Sequence, residues 1–418
     1  MRKPLACTVI FVFCTSTVSL CGCWGRLELQ DTAFVVLMGL DAVQSSSGEP
    51  LPTSEAGLEV TQAIAISRAL PSGRDGGGGR GPAPMVVLPM VAPNLTVAGE
   101  SIEESVSRRV RTTHVEALIV GEALARQGLE DVLDQTLRYS NLRHTIHVII
   151  AEGSARELIT SLAPSIEVGP WTEARKAVQS IQGRVSNQLH LHDLLVSSSS
   201  KSKDAMLPMM RTWQEIAVGG GESAARPGRG PAITGVAVFK DATMVGKLDE
   251  VEAAHALMLH GSFRRAFMSY PLSASADDGV LSNRNLVGIE WDSVKAQKRV
   301  TMIGERAAIN VNLDMEGGVM EARGDVDLTS PEGVRRLERQ VAQSVRFHCQ
   351  RVVEKVQREM AGADIFYFGD VLRTTFKTWD EWEKFDWPKR FQEAVVTINV
   401  TVHLRRPGLT LQNPWKLH

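Results

Sequence analysis

Two kinds of hydrophobic pattern alternate through the first half of the chain. Ala33 to Asp41 (AFVVLMGLD) and Thr145 to Ala151 (TIHVIIA) are short apolar runs with the length and β-branched content of buried strands. Leu58 to Ile66 (LEVTQAIAI) predicts another strand, with Leu58, Val60, Gln62, Ile64 and Ile66 on one face, and His114 to Val120 a further one. Helical spacing lies between them. It starts at Ser101 with Ile102, Val106, Arg109 and Val110, and resumes at Glu122 with Leu129, Val132, Leu133 and Leu137. Ser154 to Leu162 predicts a short helix. This alternation implies a mixed sheet with helices packed on it.

The second half has a different rhythm. Ile233 to Lys240 (ITGVAVFK) predicts a strand that turns at Asp241-Ala242 and returns over 243–247. Asp249 is placed to cap a helix that carries Val251, Ala254, Leu257 and Met258 inward and stops at Gly261. Ala308 to Met315 alternates cleanly, with Ile309, Val311, Leu313 and Met315 opposite Asn310, Asn312 and Asp314. Ser330-Pro331 starts a long helix over 332–361. It carries Val334, Leu337, Val341, Val345, Cys349, Val352, Val356 and Met360 at spacings of three and four, and Gly362 ends it. Val396, Ile398, Val400, Val402 and Leu404 then form one face of a last strand.

Polar and glycine-rich stretches divide these elements. Residues 71–84 (PSGRDGGGGRGPAP) have the composition of a solvated loop, and lack the Gly-Lys-Ser/Thr ending of a phosphate loop. Residues 196–204 (VSSSSKSKD) predict a linker, and 219–231 a second loose region. At 418 residues the chain exceeds the size at which one core keeps growing. The expected class is α+β with mixed sheets and packed helices in three domains. These are an N-terminal α/β domain over 23–200, a small middle α+β domain over 205–295 and a C-terminal α+β domain over 296–410.

The N-terminus changes the picture. Arg2 and Lys3 precede an apolar run from Leu5 to Leu20, the order of a secretory signal. As a helix the run reaches about 24 Å, short of the ~30 Å hydrocarbon core. Leu20-Cys21-Gly22-Cys23 resembles the lipobox of bacterial lipoproteins. That resemblance implies a signal peptide over 1–22, diacylglyceryl and palmitate attachment at Cys23, and an exported ectodomain anchored to a membrane. Leu20 and Gly22 match the motif well, whereas Cys21 is a less usual middle residue. Of the five cysteines, Cys7, Cys14 and Cys21 leave with the signal and Cys23 takes the lipid. Only Cys349 remains, which excludes an internal disulfide and any cysteine-based metal site. The net charge of −2 gives no reason to expect nucleic acid as a partner.

Few residues carry candidate chemistry. His190-Leu191-His192-Asp193 on a strand would put two imidazoles on one face, yet no third ligand cluster accompanies them, so a polar surface segment is expected. His144 and His147 give an even weaker metal signal. No Gly-x-Ser-x-Gly elbow and no prominent carboxylate pair is present. Arg323-Gly324-Asp325 is a lone tripeptide. The aromatic segment Trp379 to Pro388 places Trp379 and Trp382 on one helix face with Phe376, as core or as a partner surface. No catalytic residue, metal ligand or cofactor is assigned.

Four blocks taken together resemble the Ger(x)C family, the lipoprotein C subunits of bacterial spore germinant receptors. The first is Gly22-Cys23-Trp24-Gly25-Arg26-Leu27-Glu28-Leu29 with Met38-Gly39-Leu40-Asp41, where Gly25 replaces the family's usual Asp. The second is His114 to Ala125 (HVEALIVGEALA). The third is Thr234 to Lys240 (TGVAVFK) with Val245-Gly246-Lys247-Leu248. The fourth is Ala363 to Gly369 (ADIFYFG) with Trp382 and the strand ending His403 to Gly408. Their order spans nearly the whole mature chain.

The resemblance implies a non-enzymatic, three-domain α/β assembly on the outer face of the spore inner membrane. It would act with an A subunit and a multi-pass B subunit in nutrient-triggered germination. A stand-alone solute-binding lipoprotein is the alternative class. It would be expected to show two similar lobes, whereas the two halves of this chain are patterned differently.

Overall fold

The computed structural model describes residues 31–66, 85–138, 142–162, 170–214, 229–272, 286–323 and 326–406. The lipobox, the 71–84 loop and most of the loose region at 219–231 lie outside them.

Two sheets organise the chain. The first contains β1 (Thr32–Ala42), β2 (Leu58–Ala65), β3 (Met85–Ala92), β4 (Arg109–Arg111), β5 (Ala117–Gly121), β6 (His147–Ala151), β7 (Met206–Gln214), β8 (Arg229–Lys240) and β9 (Thr243–Leu248). Its order is β3-β2-β1-β5-β6-β7-β8-β9, with β4 paired to the start of β1. The centre, β1-β5-β6-β7, is parallel and the flanks are antiparallel. Helices cover both faces: α1 (Thr53–Ala56) is a single turn, followed by α2 (Leu95–Ser105), α3 (Glu122–Gln127), α4 (Glu130–Arg138), α5 (Ala155–Ser161), α6 (Pro170–Ser180) and α7 (Leu191–Ser198). Side chains of α2, α3, α4 and α7 share one core with the sheet, and those of α5 and α6 share the other. A sheet covered on both sides has strands that are buried throughout, which is why β5 and β6 read as unbroken apolar runs.

The second sheet has order β10-β11-β12-β13, built from β10 (Ala266–Pro271), β11 (Leu286–Ile303), β12 (Arg306–Arg323) and β13 (Val395–Arg406). β11 and β12 form a long hairpin across the two-residue turn Gly304-Glu305, and β13 runs parallel to β12. One face packs on α8 (Glu250–His260) and α9 (Pro331–Glu359), helped by α10 (Phe368–Arg373), α11 (Trp379–Phe385) and α12 (Trp387–Gln392). At 29 residues α9 spans about 43 Å. Ser330 caps it by accepting the Gly333 N–H, and its buried stripe runs Leu337, Val341, Val345, Cys349, Val352, Val353 and Val356. Burial pushes the Cys349 thiol pKa up, so this cysteine is an inert core side chain.

The two units share a strand. Along β8, Val236 and Val238 enter the core of the second unit, while Ala237 and Phe239 enter a core of the first. Residues 205–295, expected above as a domain of their own, are therefore divided. β7, β8 and β9 complete the first sheet, and β10 and the start of β11 belong to the second. The 196–204 linker is likewise partly structured, because α7 continues to Ser198.

Other local expectations shift for identifiable reasons. The helix expected from Ser101 begins at Leu95, because the Asn94 side chain accepts the Val97 N–H. It ends before Arg109, which is already in β4. Gly128, at φ +116°, breaks the helical stretch from Glu122 into α3 and α4. β3 was not anticipated, since Pro89 argues against a central strand; β3 lies at the sheet edge, where a missing N–H is tolerated. Asp249 caps α8 as expected, and Glu252 bonds back to its N–H to complete a capping box. That helix is buried on every side from Ala253 to Leu259, so Val251, expected inward, is the residue left half-exposed.

Candidate functional site

Deeply buried charges meet where the two units join. The chain passes this junction twice, on its way into β7 and again between α9 and α10. The Asp204 carboxylate accepts from Lys240 Nζ at 3.0 Å and from the Asp364 backbone N–H at 2.7 Å. The Asp204 N–H returns a bond to the Asp364 carbonyl at 3.1 Å. Asp364 lies deeper still. Its Oδ1 accepts the N–H groups of Phe366 and Phe368, and its Oδ2 accepts those of Gly369 at 2.6 Å and Trp387 Nε1 at 2.9 Å. Burial pushes the Asp364 carboxyl up to about 6, against the pull of those donors. Burial also raises Asp204, opposed by the Lys240 charge.

Further bonds close the junction. Lys298 comes from the inner face of β11 and donates to the carbonyls of His260 (2.8 Å) and Phe366 (2.7 Å). Burial lowers its ammonium to about 8. Gln188 Nε2 donates to the Tyr367 hydroxyl, while its Oε1 accepts the Met206 N–H at 2.5 Å. Ser202 donates to Asp370 at 2.6 Å. Gly369 is required by close approach, since a Cβ there would stand 2.5 Å from Trp387 Nε1.

A simpler version of this device holds the first unit. Asp41, at the end of the first resemblance block, accepts the N–H groups of Ala155 (2.8 Å) and Arg156 (3.0 Å) and the Ser154 hydroxyl, fixing the start of α5. Gly121, in the second block, faces it, and a Cβ there would lie 2.0 Å from Asp41 Oδ1.

These carboxylates are held by fixed backbone and side-chain donors, three at Asp41, three at Asp204 and four at Asp364. Their chemistry is mechanical: they hold elements in register. Among the described residues no group of three His, Cys, Asp or Glu could hold a metal ion.

The residues singled out in the sequence are dispersed. Cys23, the expected lipid site, lies outside the described residues, as do Gly324 and Asp325. His190 does not sit on a strand with His192. It precedes α7, and Asp193 Oδ2 accepts its N–H and that of Leu189. His190 stacks on buried His147 at 4.8 Å, and burial, reinforced by the His190 charge, lowers the His147 pKa. His144 and His192 instead open onto a shallow groove beside Leu137 and Leu195. Trp379 and Trp382 do not share an environment: Trp379 is 50% exposed, whereas Trp382 is 1% exposed. Trp382 packs on Phe376, and stacks on Phe385 and Trp387. The aromatic segment is thus mostly core, tied through Trp387 to the junction.

Sequence reasoning passed over Asp204, Lys240 and Lys298, and treated Asp364 only as part of a block. A signal existed for Lys298. It occupies an inward position of β11 with Val294, Ala296 and Val300, where a charge needs a partner.

Comparison with known proteins agrees with this architecture. Residues 25–212 match the model of the spore germination protein N-terminal domain, and residues 234–408 match that of the spore germination B3/GerAC-like C-terminal domain. Spore germination protein KC of Bacillus subtilis is 23% identical, with 98% of each chain covered. Two further proteins of that organism, the putative spore germination protein YfkR and spore germination protein YndF, are 21% and 20% identical over 98% of each chain. The crystal structure of the GerBC protein superposes with a TM-score of 0.53 at 14% identity, covering 89% of this chain and 98% of that one, a likeness of fold. The fold is that of a two-sheet α+β protein, and the family matches place it among spore germination proteins. The chain belongs to the Ger(x)C family.

Proposed function

We propose that this chain is a lipid-anchored subunit of a nutrient germinant receptor complex. It would work without catalysis, through protein contacts at the outer face of the spore inner membrane. The observation that carries this reading is one of order: the two matched family regions run from residue 25 to 408, and the lipobox Leu20-Cys21-Gly22-Cys23 immediately precedes them. Two acyl chains on Cys23 would hold the ectodomain firmly, where a single chain binds a membrane only marginally. The partners would be the A and B membrane subunits, with the anchor keeping the ectodomain beside them. The carboxylate junction suits such a role, since rigidly joined units present a fixed surface.

Labelled palmitate tests the anchor. In the natural host the chain is expected to incorporate it and to fractionate with membranes, and Cys23→Ala is expected to do neither. Equal labelling of the Cys23→Ala chain would remove the anchor from the proposal.

A further inference from the structure

The open edge of the second sheet carries an inference that does not depend on the lipid anchor or on receptor membership. β13 ends the sheet and, among the described residues, pairs only with β12. Backbone groups of alternate strand residues point to opposite edges. The Leu404 N–H points away from β12, because it donates to Glu338 Oε1 on α9 at 2.9 Å. The register from Val395 to Leu404 is uninterrupted. The N–H and C=O groups of Val396, Ile398, Val400 and Val402 therefore face the same open edge.

A groove of about 470 Å³ lies between this edge at Asn399-Val400 and the exposed flank of α9. Arg336, Arg339 and Arg346 line it, spaced so that they follow one side of the helix. All three are exposed, and among the described residues none has a carboxylate within ion-pair distance. Glu338, on the same helix, is turned to the Leu404 N–H and does not neutralise them.

A long unpaired strand edge is a template for another strand, and proteins usually blunt one with charge or cover it. Here the groove beside the edge is lined by three arginines, and the one carboxylate at the edge, Glu338, is held by the Leu404 N–H. We propose that this groove receives an extended acidic segment of a partner protein. The segment adds as a strand to β13, and its carboxylates pair with Arg336, Arg339 and Arg346. Backbone bonds would supply the binding mode and the arginine row the selectivity, because guanidinium groups bind carboxylates in fixed, bidentate geometry.

The test uses the full chain in detergent and a fluorescein-labelled peptide of alternating Glu and Val, with a Lys/Val peptide as control. Fluorescence anisotropy is expected to show binding of the Glu/Val peptide alone. Combined Arg336→Gln, Arg339→Gln and Arg346→Gln is expected to weaken it roughly tenfold, as three partly screened charge pairs would. Amide exchange at Val396, Ile398, Val400 and Val402 should slow in the complex, a readout that needs no variant to fold.

Five results would overturn the proposal. These are no binding of the Glu/Val peptide, equal binding by the triple variant, or protection confined to other strands. The fourth is protection of the same amides by concentrated chain alone, which would assign the edge to a second copy. Arginine-dependent binding to phosphatidylglycerol vesicles without peptide binding would assign the row to a lipid surface and also count against it.

Discussion

The first sheet is covered on both faces, and the second on one. In the first, parallel central strands are sandwiched between two helical layers, and Asp41, turned inward, meets the start of a helix. In the second, β12 alternates buried Ile309, Val311, Leu313 and Met315 with exposed Asn310, Asn312 and Asp314. That leaves a polar face and a free strand edge open to solvent. The contrast shows where contacts can form: the first unit spends its sheet surfaces on its own packing, while the second keeps backbone and charge available.

The joint between the units is the place to break this comparison. Asp364→Ala would strand the N–H groups of Phe366, Phe368 and Gly369 and the Trp387 indole. It should cost about 3–5 kcal/mol, the range for uncompensating a buried charge network. In calorimetry the single transition should weaken and split. Unchanged melting would mean that the junction does not couple the units. Trp382→Ala should cost about 3–5 kcal/mol in the second unit alone, through the cavity it opens.

Gly121→Ala strains the first unit, because its Cβ would meet Asp41 Oδ1 at 2.0 Å. A loss of about 1–3 kcal/mol is expected in denaturant titration, relieved when combined with Asp41→Ala. No relief in the double variant would separate the two residues.

Acid should act mainly on the second unit. Burial lowers His255 and His260 to about 4, so the unfolded chain binds more protons between about 4 and 6.5, and their contribution to stability is lost as pH falls through that window. Asp364 is raised to about 6, so its contribution has the opposite sign and is lost as pH rises from about 4 to 6. The two histidines outweigh the one carboxyl, and stability should decline toward pH 4. His260→Gln should flatten that decline and Asp364→Asn should steepen it in melting curves taken across pH. A flat wild-type profile would contradict the claim that the histidines outweigh the carboxyl. At the low end, Trp379→Ala should stay within about 0.5 kcal/mol, since that ring is half exposed, and its melting midpoint should match the wild type.

Much of this was legible before any coordinates. β12, α9 and β13 were readable because one face is buried and the other wet, which writes a period into the sequence. β1, β5 and β6 were readable as strands, but not their neighbours, since strands buried on both faces carry no face label. The sharing of β8 between two cores left no trace in ITGVAVFK that composition could reveal, so a middle domain was expected where none is separate. The junction was hidden for another reason. Asp204 and Asp364 meet across 160 residues of sequence, and Asp204 ends a polar run beside Lys203 that reads as a solvated loop. The resemblance blocks did point to these buried carboxylates, at the junction and in the first unit. Their glycines and aspartates, Gly121 with Asp41 and Gly369 beside Asp364, are the positions where side chains approach too closely for substitution.

Nutrient-triggered germination, followed as the fall in optical density of a spore suspension, tests the central claim most directly. The spores would lack this gene and its paralogues and carry either the wild-type chain or Cys23→Ala at equal protein level. Wild type should restore the response and Cys23→Ala should not. Full restoration by Cys23→Ala, or normal germination with no copy at all, would contradict a lipid-anchored receptor subunit.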